Sequence, residues 1–285
     1  ITLSKSCSKE RVHGTGKRKI RRTYVYFSRG GSWYRKKSMQ RIEEELRAYI
    51  KIYNPEFVYI VSESFLAGSI DTVRNFTEMY QQFSIPFWFN TRPEDITEEK
   101  VRCIKEVGCK RISIGLEHGN EEFRKKFLKR NYSNVAFKRA CEILRSHEIS
   151  FSTNVIIGFP YETREMVFDT INVLRDVKPD GVSTHIFSPY HGSELRDICV
   201  KDGMISEDMI AEDFFHGDYR LKNPTISKEE ILGLFRTIPL YVEMDKKEYA
   251  RIRTAERLDE EGDKIFNELK KEFYACKGWR QVGRE

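Results

Sequence analysis

Six short stretches of this 285-residue chain carry side chains that bind ligands, and each follows a β-rich run. They are Cys7, Ser62-Glu63-Ser64, Asn90-Thr91-Arg92, Glu117-His118-Gly119-Asn120, GFPYET at 158–163 and SPYHGS at 188–193. A carboxylate at a strand end, such as Glu117, accepts hydrogen bonds from a ribose diol or an ammonium group. Arg130 is suited to hold a carboxylate bidentately, and Gly119 and Gly158 permit close backbone approach. Each residue alone also reads as ordinary turn chemistry or a surface ion pair. Their convergence on one rim favours a nucleoside-like ligand. The six cysteines are scattered and form no CxxC pair, so they read as free thiols of a reducing cytosol, with Cys103, Cys141 and Cys199 expected to be buried.

The elements that must position these residues alternate. Candidate strands are 1–5, 57–61, 86–90, 111–116, 150–158 and 181–187, and helical patterns lie between them, which predicts βα units around a parallel sheet. Ser38 caps a helix with Ile42, Leu46 and Ile50 on one face, and Thr97 opens a second that Gly108 ends. Asn134–Ser146 and Arg164–Val177 repeat the pattern. Six strands with five crossover helices make an α/β fold, a partial (β/α)6 TIM-like barrel open on one side, whose ligands bind over the C-terminal strand ends. Beyond residue 200 the pattern changes, and 227–275 reads as two or three charged amphipathic helices. The predicted organisation is a barrel core over 1–200 and a mainly helical subdomain over 201–285.

Composition narrows the class. With 39% hydrophobic and 33% charged residues, this is the profile of a soluble globular protein. No apolar run approaches the roughly 20 residues that a membrane helix needs, and no signal peptide opens the chain, so a cytoplasmic protein with no membrane partner is expected. The net charge of +6 is local, because residues 11–37 hold ten Lys or Arg and no Asp or Glu. Such a run reads first as a solvated loop and second as a contact for nucleic acid.

Several segments resemble one family. GLEHGNEEFRKKFLKRNYS, TNVIIGFPYETREMVFDTINVLRDVKPDGVS and HIFSPYHGSELRD are similar to strands four, five and six of the radical S-adenosylmethionine (SAM) superfamily, most of all the subclass with an N-terminal cobalamin-binding domain. YRKKSMQRIEEEL resembles the helix after the cluster loop, and VYIVSESFLAG the strand that usually ends in paired acidic residues. The resemblance implies SAM and a [4Fe–4S] cluster as cofactors. It also implies cobalamin through an upstream domain missing from this chain, which begins with Ile and reads as a fragment. By the same resemblance Glu117 meets the ribose of SAM, Arg130 its carboxylate, and Ser62 and Glu63 its ammonium. Asn154, Ile156 and Gly158 line the adenine. His118 stands where Ser is frequent, which puts a secondary ribose contact in question. The implied activity is reductive cleavage of SAM to a 5′-deoxyadenosyl radical that acts on an unknown small-molecule substrate, with an electron donor such as flavodoxin or ferredoxin.

The departure from the family is the cluster loop. ITLSKSC supplies Cys7 as a metal ligand, but the second and third thiolate positions fall on Arg11 and Gly14. A guanidinium offers no lone pair and glycine has no side chain, so neither replaces a cluster thiolate. Three explanations stand side by side: a natural member that has lost the cluster, a reading-frame error in the recorded sequence confined to this segment, or ligation by Cys7 and His13 with outside help. The rival to an enzyme is a non-catalytic SAM-, nucleotide- or RNA-binding module. The segment from 11 to 32, dense in like charge, is expected to be poorly packed.

Overall fold

The computed structural model describes residues 4–5, 35–211 and 219–276. Cys7, Arg11, Gly14 and the basic run as far as residue 34, including the 11–32 segment expected to be poorly packed, lie outside these. Five strands form one parallel sheet in the order β3-β4-β5-β6-β7: β3 (Val58–Ile60), β4 (Phe87–Thr91), β5 (Cys109–Glu117), β6 (Ser150–Ile157) and β7 (Gly181–Ile186). The fold is thus the α/β partial barrel expected, with strands two to six within one or two residues of their predicted places. The first predicted strand differs. Ser4–Lys5 (β1) pairs antiparallel with Arg35–Lys36 (β2), so its ladder serves a separate two-stranded sheet.

Helices cross between the strands where caps and periodicity place them. α1 (Met39–Tyr53) begins at Ser38, whose hydroxyl accepts from Arg41 N, and buries Ile42 and Leu46. α2 (Ile70–Tyr80) links β3 to β4, and α3 (Glu98–Glu106) links β4 to β5. Thr97 caps α3 through Lys100 N, and Gly108 follows it at φ +95°, the left-handed stop that glycine adopts without cost. α4 (Glu121–Phe127) and α5 (Asn134–Ser146) lie between β5 and β6, α6 (Arg164–Val177) between β6 and β7, and α7 (Glu194–Lys201) after β7. Three further helices end the described chain: α8 (Lys228–Glu243), α9 (Tyr249–Ala255) and α10 (Glu260–Cys276). Among the described residues no helix is long and apolar enough to cross a membrane.

The chain divides into two compact units. The first takes the described residues up to Leu116 together with Tyr132–Thr153 and Pro179–Gly181. Its core is aromatic: along β4 the buried Phe87, Phe89 and Thr91 alternate with half-buried Trp88 and Asn90. Phe87 and Phe89 face Phe65, Phe76 and Tyr80, with ring centroids 4.2–5.8 Å apart in the pairs that touch, separations typical of favourable aromatic pairs.

The second unit takes Glu117–Asn131, Asn154–Lys178 and the described residues from Val182 onward. Within it α8 packs on α6 and α9, burying Ile231, Leu234 and Ile238 completely. Arg175 of α6 donates to the carbonyls of Tyr241 and Met244, each at 2.7 Å, which satisfies the open C-terminal end of α8. Glu256 is the ionic centre of this unit. Its carboxylate, 7% exposed, accepts both guanidinium nitrogens of Arg164 at 2.8 and 2.6 Å, Arg253 at 2.9 Å and the Tyr241 hydroxyl at 2.6 Å. Glu256→Ala leaves the half-buried Arg164 with only the more distant Glu230, 3.9 Å away, and takes the acceptor from the buried Tyr241 hydroxyl; it is expected to destabilise the protein by about 1–3 kcal/mol. Urea denaturation should show it, and a loss below about 1 kcal/mol would mean that solvent already compensates these charges.

Candidate functional site

The second unit carries the strand ends that the sequence marks most strongly. β5 ends on Glu117, which adopts φ +60°, a left-handed conformation that is strained for a residue with a side chain. Its Oε1 lies 3.6 Å from Arg130 Nη2, and the two side chains are 21% and 23% exposed. The carboxylate expected to meet a ribose and the guanidinium expected to meet a carboxylate are therefore neighbours. They form a partly open ion pair that a ligand bearing both a diol and a carboxylate can address. The backbone N–H of Arg130 donates to the carbonyl of Arg124, which seats the segment after α4.

Next to Glu117, the geometry removes His118 from any ligand. Its ring is fully buried and stacks on Phe123 at 4.5 Å. Nδ1 accepts the backbone N–H of Asn120 at 3.0 Å, so the proton sits on Nε2, which donates to Glu162 Oε1 at 2.9 Å. Asn120 then caps α4 through Phe123 N and donates to Asp169 Oδ2 at 2.7 Å. Gly119 is required for packing: its N–H donates to Thr170 Oγ1 at 2.8 Å, and α6 passes where a side chain would stand.

The turn after β6 is organised by Glu162, also fully buried. One carboxylate oxygen accepts the His118 Nε2–H, and the other accepts the N–H groups of Gly158 and Phe159. Gly158 adopts φ +84°, and a Cβ on it would stand 2.8 Å from the Tyr219 ring, so its close approach is to protein in this structure. Asn154 and Ile156 occupy the partly exposed face of β6, alternating with buried Thr153, Val155 and Ile157. On β7, Ser183 Oγ lies 3.0 Å from His185 Nε2, and burial holds the imidazole pKa below its ordinary value.

Ser62 and Glu63 belong to the first unit, after β3. Of this triplet Ser64 is buried and structural. It donates to Asp95 Oδ2 at 2.5 Å, stands 3.0 Å from Thr91 Oγ1 and accepts Arg92 N, tying the loops after β3 and β4 together. Ser62 is partly exposed and Glu63 exposed. Asn90 donates to the Tyr59 hydroxyl at 2.9 Å. Tyr59 stacks on Trp88 at 4.1 Å.

Among the described residues, no three His, Cys, Asp or Glu come together as a group that could hold a metal. Cys109, Cys141 and Cys199 are buried, while Cys103 is only partly so. Burial pushes the thiols of Cys109 and Cys141 up to about 12 and that of Cys199 up to about 11. No two of these enclosed thiols join a third metal-binding side chain, so the described residues do not fit an iron–sulfur cluster, which needs several thiolates together. Cys7, the one thiolate in the expected pattern, lies outside them. Glu162 is the residue here for which sequence reading assigned no individual role, and His118, read as standing at a secondary ribose contact, turns inward to it. The signal was a carboxylate four residues beyond the glycine that ends β6.

Parallel strands with crossover helices define a partial (β/α) barrel that carries polar and charged residues at its strand ends. Residues 17–174, more than half of the chain, match the family described as the radical SAM superfamily, and the chain belongs to it. Among similar proteins is the tRNA-2-methylthio-N(6)-dimethylallyladenosine synthase of Clostridium botulinum (strain Alaska E43 / Type E3), 27% identical over 150 residues. That match covers 51% of this chain and 31% of the relative. The synthase of Thermodesulfovibrio yellowstonii is 28% identical over 127 residues, 44% of this chain and 29% of the relative. The chain thus spans less than a third of the length of these relatives. The cobalamin-dependent SAM radical enzyme OxsB shares the fold, with a TM-score of 0.56 at 12% identity over 86% of this chain and 42% of that one. So does the radical SAM methyltransferase TsrM from Kitasatospora setae, at 0.52 and 14% over 84% and 56%.

Proposed function

We propose that this chain binds SAM at the rim formed by Glu117, Arg130 and the Gly158 turn, as the barrel of a cytosolic radical SAM enzyme acting on a small-molecule substrate. The observation that carries the reading is the partly open Glu117–Arg130 pair, 3.6 Å apart at the end of β5 in a chain of this family. Glu117 receives the ribose diol, Arg130 the methionyl carboxylate, and Asn154 and Ile156 present the partly exposed face of β6 to the adenine. A [4Fe–4S] cluster, where its three thiolates are present, supplies the electron that cleaves SAM to methionine and a 5′-deoxyadenosyl radical. With Arg11 and Gly14 at two of those positions, cleavage is proposed only for a form in which the cluster is restored. Flavodoxin or ferredoxin would supply the electron. Cobalamin, which both structural relatives named above contain or require, would come from a separate domain.

Calorimetric titration with SAM tests the site without any cluster. The parent chain should bind. Glu117→Ala and Arg130→Ala should each weaken binding by roughly 10- to 150-fold, the loss of about 1.5–3 kcal/mol expected for a charge-assisted hydrogen bond. Equal affinity in all three would remove the site.

A second reading has its own support. Arg11 and Gly14, together with ten basic residues between 11 and 37, favour a non-catalytic module that binds SAM or a nucleotide and contacts RNA, and curated relatives are named for tRNA modification. Binding of an unmodified tRNA that weakens steeply between 50 and 200 mM salt, with no SAM cleavage after thiolates are restored at 11 and 14, would select it.

A further inference from the structure

We infer that His118 and Glu162 are positioning residues, a buried clamp that fixes the Glu117 strand end and the Gly158 turn to each other as one rigid element. The inference rests on the SAM reading for its functional consequence, but its structural half stands on the hydrogen bonds alone.

Two loops 40 residues apart in sequence meet here through a single carboxylate. Glu162 Oε2 gathers the N–H groups of Gly158 and Phe159, which shapes the turn leaving β6. Oε1 accepts from His118, the residue directly after Glu117. The far side of the same imidazole accepts Asn120 N, and Arg124 Nη1 donates to the His118 carbonyl, so both ends of this residue are held. The Glu162 carbonyl is held in turn by the Thr225 hydroxyl at 2.6 Å, and the Phe159 carbonyl by Asn223 Nδ2 at 2.8 Å.

Both nitrogens of His118 and both carboxylate oxygens of Glu162 are hydrogen-bonded, and both side chains are 0% exposed. A satisfied buried network of this kind specifies geometry as well as stability. What it specifies is the placement of Glu117, whose φ of +60° persists only while its surroundings over-determine it. Neither His118 nor Glu162 reaches a ligand. They act by keeping the ribose carboxylate and the adenine-side turn at a fixed spacing, which preorganises the site for a two-ended cofactor.

The test uses the full chain and two independent readouts. Hydrogen exchange, which needs no ligand, is measured on the parent, Glu162→Ala and His118→Ala. Removing Glu162 should raise exchange at least tenfold at Asn120–Phe123 as well as at Gly158 and Phe159, and removing His118 should do the same in both segments. Acceleration confined to the mutated loop overturns the clamp. SAM affinity is then read by calorimetry. Each single variant should lose about tenfold, and the double variant little more than either, because residues of one network do not add. Glu256→Gln, whose hydrogen bonds to Arg164, Arg253 and Tyr241 share no partner with this network, controls for general destabilisation and should keep the parent affinity. If Glu256→Gln loses as much affinity at comparable stability, or if the single variants bind like the parent, the positioning role is wrong. A parent chain that fails to bind SAM removes the proposed site, and the exchange data then decide the clamp by themselves.

Discussion

Gly119→Ala is expected to destabilise the protein by more than about 3 kcal/mol, beyond the usual range for overpacking because backbone stands on both sides of the contact. A Cβ at this position would sit 2.3 Å from Thr170 Cα, 2.5 Å from Thr170 N and 2.6 Å from the Asp169 carbonyl carbon. Carbon atoms approach comfortably only to about 3.5–4.0 Å, so α6 would have to retreat by more than an ångström. It is poorly placed to do so. Its buried face, Val167, Ile171 and Leu174, is fully enclosed, and Arg175 ties its last turn to the carbonyls of α8. Retreat would also break the Gly119 N–H bond to Thr170 and the Asn120 bond to Asp169. Gly192→Ala is the matched control. Gly192 has φ +83° but nothing within 4 Å of its added Cβ, so only the left-handed strain of about 1–2 kcal/mol remains. Denaturant unfolding of both variants measures the difference. If Gly119→Ala unfolds within 1 kcal/mol of the parent, the tight seat of α6 against this loop is wrong.

Much of this arrangement was legible in the sequence because it is local. The caps Ser38 and Thr97, the stop at Gly108 and the two-residue alternation along β4 are written in neighbouring residue types, and the elements follow them. What was not legible depends on partners far along the chain. Gly119 and Gly158 look like glycines that make room for a ligand; only the fold shows that Thr170 and Tyr219 occupy that room. His118 stands beside a ligand-type carboxylate and reads as a contact, until the partner 44 residues away turns it inward. Ser64 likewise sits in an acidic-looking triplet, yet Asp95, Thr91 and Arg92 from the next loop claim its hydroxyl. The first strand failed for another reason: five residues at a chain end carry too little periodicity to reveal which edge they will join.

The chain as it stands, reconstituted anaerobically with iron and sulfide, is expected to hold far fewer than the roughly four irons of a complete cluster and to release no 5′-deoxyadenosine from SAM and a reductant. Cys7 is the only thiolate in the expected loop, with Arg11 and Gly14 at the other two positions. The described thiols offer no substitute, since Cys109, Cys141 and Cys199 are each buried in the protonated state and no metal-binding group forms among the described residues. Arg11→Cys combined with Gly14→Cys separates the explanations for this loop. A rise to near-complete iron with SAM cleavage means that the loop kept its shape and lost only its ligands. Cysteine codons at both positions in the gene itself would identify a frame shift. If the unmodified chain already binds about four irons and cleaves SAM, the ligands lie elsewhere, and His13→Ala becomes the decisive variant: loss of iron there assigns the missing ligand to the imidazole. Because the proposed SAM contacts of Glu117 and Arg130 do not involve the cluster, calorimetry and iron content are expected to move independently. A chain that loses both together would show that the loop after β1 shapes the cofactor site as well as the metal.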